Sequence, residues 1–390
     1  MEKSAKTLER EQLFKDMFEG KTPKRVPITQ PVDTACAIEL KGYSLLKEQY
    51  SPEKVLEAID YTTSQIESDV VPVSMSQNPV ALRVNGSKKF VFGSDGYIQH
   101  QNHSFMEANE YPEYAKDVYY FNATKGVDRS YDRVSFTNDK EMDPLQRATV
   151  LLKIQFANQN FYSVLGPGKA EIERKYERTS WDSYNAIGCA PLDTLADFNR
   201  SFSALLGDIR RYPNEVMDAV AALTDFEKQR VDRSAPGEPG KRVFFALHMA
   251  TFMRPKDVEK FFWPSFMDVI NFTKDSGRNI YVFCEDNWDP YIEMVGELPE
   301  GTLIRFEKTN PKLAREACGY KHIFNGFFPM ELYNSGTVEN AVNKTKEFLD
   351  LVAPGGRYQF QADKSPLKGT DVNLENVKAI MKTVQEYGVY

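Results

Sequence analysis

The second half of the chain alternates short apolar runs with stretches whose apolar residues recur at helical spacing. Arg242–Leu247 (RVFFAL), Ile280–Phe283 (IYVF), Thr302–Phe306 (TLIRF), His322–Phe324 and Arg357–Gln361 read as strands. Between and after them, Pro255–Lys274, Asp289–Val295, Pro311–Ala317, Val338–Val352 and Leu374–Tyr387 read as helices. Proline suits the first turn at Pro255, and Gly319 follows a helix end. Strands separated by helices in this way predict parallel βα units.

The same alternation begins near the N-terminus. Thr7–Phe18 and Pro52–Ile66 have helical spacing, and Val26–Gln30 and Val70–Val73 are strand-like. Lys88–Tyr120 breaks the pattern with turn signals at Gly93 and Ser94-Asp95-Gly96 among aromatics, as a β-hairpin would. Helical spacing returns over Gln146–Phe161 and Thr194–Lys228, and Ser234–Gly240 is a polar break inside the domain rather than a linker. The expected architecture is one α/β domain over residues 1–390, a (β/α)8 TIM barrel with an N-terminal helical extension and a β-hairpin insertion at about 86–145.

Composition narrows the partners. The chain is 41% hydrophobic and carries a formal net charge of −7, with basic residues scattered among acidic ones. That excludes the electrostatic footprint of nucleic-acid or anionic-membrane binding and leaves small molecules and proteins. The charged N-terminus does not read as a secretion signal, and the longest apolar stretch, Val243–Met253, is interrupted by His248 and Thr251, so a cytoplasmic protein is expected. Four cysteines with no close pair form neither a disulfide framework nor a zinc knuckle.

In a barrel, chemistry belongs at the C-terminal strand ends. Those positions carry His248, then Cys284-Glu285-Asp286, then Glu307, Asn325 and Asp363. The run IYVFCEDNWDPY takes an apolar strand straight into a thiol and two carboxylates, and a buried carboxylate without a partner is very costly, so this strand must end at a wet or metal-occupied mouth. Alternation leaves two arrangements open: Cys284 paired with Asp286, or Glu285 swung inward. Thiolate, imidazole and carboxylate are suitable zinc ligands. Tyr281, Trp288, Phe327 and Phe328 form either a flat pocket or packing, and His100 and His103 are expected at the surface of the hairpin.

The order of these residues resembles the uroporphyrinogen decarboxylase superfamily. The likeness rests on HMATFMRPKDVEKFFWPSF, FCEDNWDPYIEMV, GYKHIFNGFFPMELYNSGTVENAV and NLENVKAIMKTVQEYGVY, and more loosely on KRVPI and ESDVVPV. The superfamily holds both the decarboxylase and zinc-dependent, corrinoid-linked methyltransferases. Where the decarboxylases carry the arginine-bearing RQAGR pattern, this chain reads VPITQPVDTACAIEL, which has no arginine to grip carboxylates. Asp69, at the position of the pyrrole-binding carboxylate, is then expected to cap or line the pocket, with Asn325 as a second substrate-binding residue.

The methyltransferase branch implies a zinc ion at the strand ends. Its His-x-Cys pair is replaced here by Cys284-Glu285-Asp286, and its last cysteine by Ala362-Asp363. The resemblance therefore implies the ligand set Glu285, Cys284, His248 and Asp363, with Asp286 or Glu307 protonating the leaving group. Such an oxygen-rich set suits an ether oxygen better than a thiol. The implied reaction is demethylation of a small methyl ether such as a methoxylated aromatic, with the methyl passed to a corrinoid on a separate protein, since no Asp-x-His-x-x-Gly signature is present. The alternatives are a decarboxylase-type lyase, a methylcorrinoid:thiol or pterin methyltransferase, and a non-enzymatic ligand-binding barrel. A homodimer through an exposed N-terminal helix and the insertion is also expected.

Overall fold

The computed structural model describes every residue except 1, 30, 75–76, 135–143, 182 and 235–239. Gln30, parts of the insertion and most of the polar break lie outside the described residues. Five strands, Ser183–Cys189, Lys241–Leu247, Ile280–Cys284, Leu303–Phe306 and Ile323–Gly326, pair in chain order, every neighbour parallel. Three more extended segments continue the order. Tyr358 and Ala362 bridge in parallel to Phe324 and Phe328, Phe360 bridges to Ile28, and Val32–Asp33 pairs with Val73–Ser74. Between that last segment and the Ser183–Cys189 strand no ladder forms among the described residues. One backbone bond, Thr179 N to Asp69 O at 2.9 Å, spans the gap at its lower end.

Most expected elements are present. Ala5–Phe18, Pro52–Gln65, Val338–Val352 and Leu374–Tyr387 are helices, the last two opened by Thr337 and Asn373, whose side chains accept the amides of Asn340 and Glu375. The hairpin pairs Phe90–Phe92 with Ile98–His100. Past it the chain turns helical, and Pro144–Lys175 returns to the sheet as one long helix. Two expectations need correction. Arg357–Gln361 makes isolated bridges rather than a ladder. The Ser183–Cys189 strand was not foreseen, because SYNAIGC has no apolar alternation. Its Gly188 is required by packing: a Cβ there would lie 2.2 Å from the Phe245 ring.

The outward faces of the strands, including Phe245, Leu247, Val282, Cys284, Ile304 and Phe306, join one apolar cluster with the surrounding helices. On the other face, Tyr281, Leu303 and Ile323 at the strand starts pack against Phe14 and Met17 of the N-terminal helix. The helix turns one face to the sheet and keeps the other exposed, with Leu8 52% exposed. It buries Arg10, Leu13, Phe14 and Met17 and closes the lower end of the sheet. Arg10 ties it there through Glu67 at 2.6 Å, a carboxylate that Arg178 meets at 2.6 Å from the other side, and Arg25 pairs with Asp69 nearby at 2.7 Å.

Phe14→Ala should cost about 3–5 kcal/mol, the usual range for emptying a phenylalanine site in a core. Urea unfolding measures it, and a loss within ordinary surface-substitution noise, about 0.5 kcal/mol, would show that the helix closes nothing.

Candidate active site

Strand register decides which side chains meet at the C-terminal edge. Leu247 pairs with Cys284 and Cys284 with Phe306, and all three turn outward into the core. The ladder runs one residue further, through Glu285 N to Leu247 O and Glu307 N to Cys284 O. His248, Glu285 and Glu307 therefore face inward. Of the two open arrangements, the structure takes the one with Glu285 turned in. Cys284 is fully buried, and burial pushes its thiol well above the usual range, which leaves it a neutral core residue.

These residues line an open cavity of ≈ 520 Å³ that also takes in Asp286, Lys308, Asp197, His100 and the rings of Phe90, Phe198, Phe202 and Phe252. Asp286 enters it because its backbone kinks to φ +60° and its amide donates to Glu307 Oε2 at 2.7 Å. Lys308 pairs with Asp286 at 2.9 Å and Lys364 with Glu307 at 2.8 Å. Trp288 fixes the turn by donating Nε1–H to the Glu285 carbonyl at 2.9 Å, so this ring is packing rather than pocket wall. Tyr281, Phe327 and Phe328 are buried as well.

His248 is the electrostatic centre. Its Nδ1 lies 2.8 Å from Glu285 Oε2, and its Nε2 faces Asp197 Oδ2 at 3.6 Å, beyond a normal hydrogen bond. Below it, the buried Asp193 accepts the backbone amides of His248 and Met249 at 3.1 and 2.8 Å. Burial alone would lower the imidazole's affinity for a proton. The Glu285 hydrogen bond and the charges of Asp193, Glu285 and Asp197 outweigh it and push the pKa up to about 10. At neutral pH the ring is an imidazolium, with Nδ1–H held by Glu285 and Nε2–H open to the cavity. Asp193 and Asp197 are raised in turn by burial, an effect the His248 charge opposes.

The other expected residues stand elsewhere. Asp363 Oδ1 accepts the amides of Met330 and Lys364 at 3.0 and 2.6 Å. Asn325 is buried beneath the mouth, donating to Gln361 at 2.9 Å and to Tyr281 OH at 3.4 Å. Asp69 sits at the base, where Arg25 and the Ile28 amide occupy its carboxylate. The implied zinc ligands are not assembled: among the described residues, no group of three or more His, Cys, Asp and Glu is placed to hold a metal ion. With Cys284 turned into the core and Asp363 bonded to amides, the donor set does not fit zinc.

Three contributors were missed. Asp193, in the helix Pro191–Leu195, and Asp197, in the helical turn Ala196–Arg200, follow the unforeseen Ser183–Cys189 strand, which sets them at the mouth. His100 is exposed as expected, but the hairpin folds back so that its Nε2 meets the Asp197 carbonyl at 3.1 Å and its ring stacks on Phe90 at 4.7 Å. Lys89 fastens the hairpin, donating to the Phe198 carbonyl at 2.7 Å.

No family model and no curated protein matches the chain. Forty-eight solved chains do. One is a methyltransferase from Methanosarcina mazei, with TM-score 0.58 and 14% identity over 97% of this chain and 98% of that one. This likeness shows the fold, an α/β architecture built on a parallel sheet. Among the described residues no helix is long and apolar enough to cross a membrane.

NMR titration of the His248 ring should give a pKa near 10. Glu285→Gln should lower it by about one unit or more, since the charge that holds the proton is removed. Because the folded value lies above the ordinary 6.5, the stability this group contributes is complete below that pH and lost as pH rises through about 10. His248→Gln should flatten the fall in melting temperature over that window. An unshifted ring in the wild type would refute this electrostatic reading.

Proposed function

We propose that the chain is a methyltransferase that takes the methyl group from a small methyl ether, a methoxylated aromatic above all, and hands it to a corrinoid carried by a separate protein. The reading takes the eight extended segments as a closed (β/α)8 barrel in one domain. The observation that carries it is His248, bonded through Nδ1 to Glu285 and facing Asp197 across 3.6 Å through Nε2, in a cavity lined by four phenylalanine rings. The partner's corrinoid would supply the nucleophile that receives the methyl. This chain's part is to bind the ether and protonate its oxygen.

Ether cleavage leaves the electron pair of the carbon–oxygen bond on oxygen, and an alkoxide or phenolate leaves far more easily when protonated as it forms. In this reading His248 Nε2–H gives that proton, and Glu285, bonded to Nδ1 at 2.8 Å, keeps the ring oriented and charged. The role a zinc ion would have filled, a positive charge at the leaving oxygen, falls to the imidazolium. Glu307 and Asp286, each tied to a lysine, hold the rim of the cavity. The cavity is open to solvent, as delivery to a second protein requires.

The test is to incubate the protein with methoxylated phenols and free cob(I)alamin and follow methylation of the cobalt by absorbance. Transfer is expected, and His248→Gln should lower its rate on the order of 10²–10⁴-fold, the range for losing a general acid. No transfer from any ether, or an undiminished variant, would end this reading. Elemental analysis gives a second check. Full turnover is expected without stoichiometric zinc, and activity lost on chelation and restored by zinc would contradict the assignment.

A further inference from the structure

Beside the mouth, on the inner face of the sheet, lies a second cavity of ≈ 420 Å³ whose lining includes Arg305, Lys169, Arg242, Tyr184, Tyr281 and Gln361. Among the described residues no aspartate or glutamate lines it. Arg305 is 7% exposed. Its Nη2 donates to the carbonyls of Ala362 and Asp363 at 3.2 and 3.1 Å, and its guanidinium lies 4.4 Å over the Phe283 ring. Its Nε has no hydrogen-bond partner, and no carboxylate among the described residues forms a salt bridge with it.

A guanidinium cannot discard its proton, and carbonyls with a ring face only partly replace the water it has lost. Leaving such a charge buried without a counter-charge costs several kcal/mol, so a fold that keeps one beside a cavity has a use for it. Lys169 adds a second cation on the same wall and likewise makes no salt bridge among the described residues. Burial lowers its pKa, a penalty that an anion in the cavity would relieve.

We infer that this cavity holds a carboxylate, so that the methyl ether processed at the mouth is borne on an aromatic acid. The substrate class rests on the methyl-transfer reading, whereas the anion site stands on its own geometry. Arg305 and Glu307 lie on one face of one strand, two residues apart, so their Cα atoms are separated by roughly 7 Å. A single ring bound by its carboxylate at Arg305 lies one layer below His248 and Glu307 on the inner face. With Nη2 held by the two carbonyls, Nη1 is left to donate to the carboxylate in a charge-assisted hydrogen bond.

Calorimetric titration of the full chain with the methoxybenzoate isomers and their amides tests this. At least one acid should bind, its amide about tenfold more weakly or worse, and Arg305→Met should reduce the acid to the level of the amide. Lys169→Met should weaken the acid by a smaller factor. Acid and amide binding alike, no acid binding, or an Arg305→Met protein that keeps its acid affinity would each overturn the inference. Should Arg305→Met fail to fold by circular dichroism, the wild-type pair and Lys169→Met decide. Acid binding without methyl transfer to cob(I)alamin would remove the methyl-transfer reading and leave the anion site. Transfer from the amide as readily as from the acid would do the opposite.

Discussion

Alternate residues of a strand face opposite sides, and the consequences of that constraint run through the whole molecule. Phe244, Tyr281, Leu303 and Ile323 stand level in the register and face inward at the strand starts, where the N-terminal helix covers them. Two residues on, the same face carries Phe283, Arg305 and Asn325. Two further on it carries His248, Glu285 and Glu307. Along one face the lining passes from apolar, through polar and cationic, to densely charged. The opposite face of the same strands stays apolar throughout and packs under the helices. A slip of one residue in the Ile280–Cys284 strand would put Cys284 in the mouth and Glu285 in the core.

That gradient explains why the strands stop where they do. Burial penalises the charged forms of Asp193 and Asp197, and nearby positive charge offsets that penalty. His248 provides it at the centre and Lys364 and Lys308 at the rim. The proton on His248 and the ionisation of its neighbours are mutually dependent, so the ring holds its proton far above its ordinary range. The ring is fixed in place by Glu285, which is the property the proposed protonation of an ether oxygen requires.

Much of this was legible in the chain and some was not, for identifiable reasons. Helices with regular spacing and polar caps, such as Val338–Val352 and Leu374–Tyr387, were readable nearly to the residue. The placement of chemistry at His248, Glu285, Asp286 and Glu307 followed from where apolar runs ended. Whether Glu285 or Cys284 faced the mouth did not, since that needs the register to the neighbouring strand. Ser183–Cys189 went unseen because Asn185 and Gly188 interrupt its pattern, and Asp193 and Asp197 were lost with it. Long-range contacts were equally invisible: nothing local in QHQNH says that His100 lies against Asp197. The zinc set was inherited from a resemblance, and Cys284 and Asp363 do not share the orientation it needs.

The central claim, that protonation of the leaving oxygen by His248 drives ether cleavage, is tested most directly by the leaving group. Methyl transfer to cob(I)alamin should be measured for aryl methyl ethers whose phenols span a wide range of acidity, in the wild type and in His248→Gln. If His248 supplies the proton, the wild-type rate depends weakly on phenol acidity and the variant's depends steeply, so that the loss is largest for the least acidic phenols and nearly vanishes for nitrophenols. Parallel dependences in the two proteins would contradict the account.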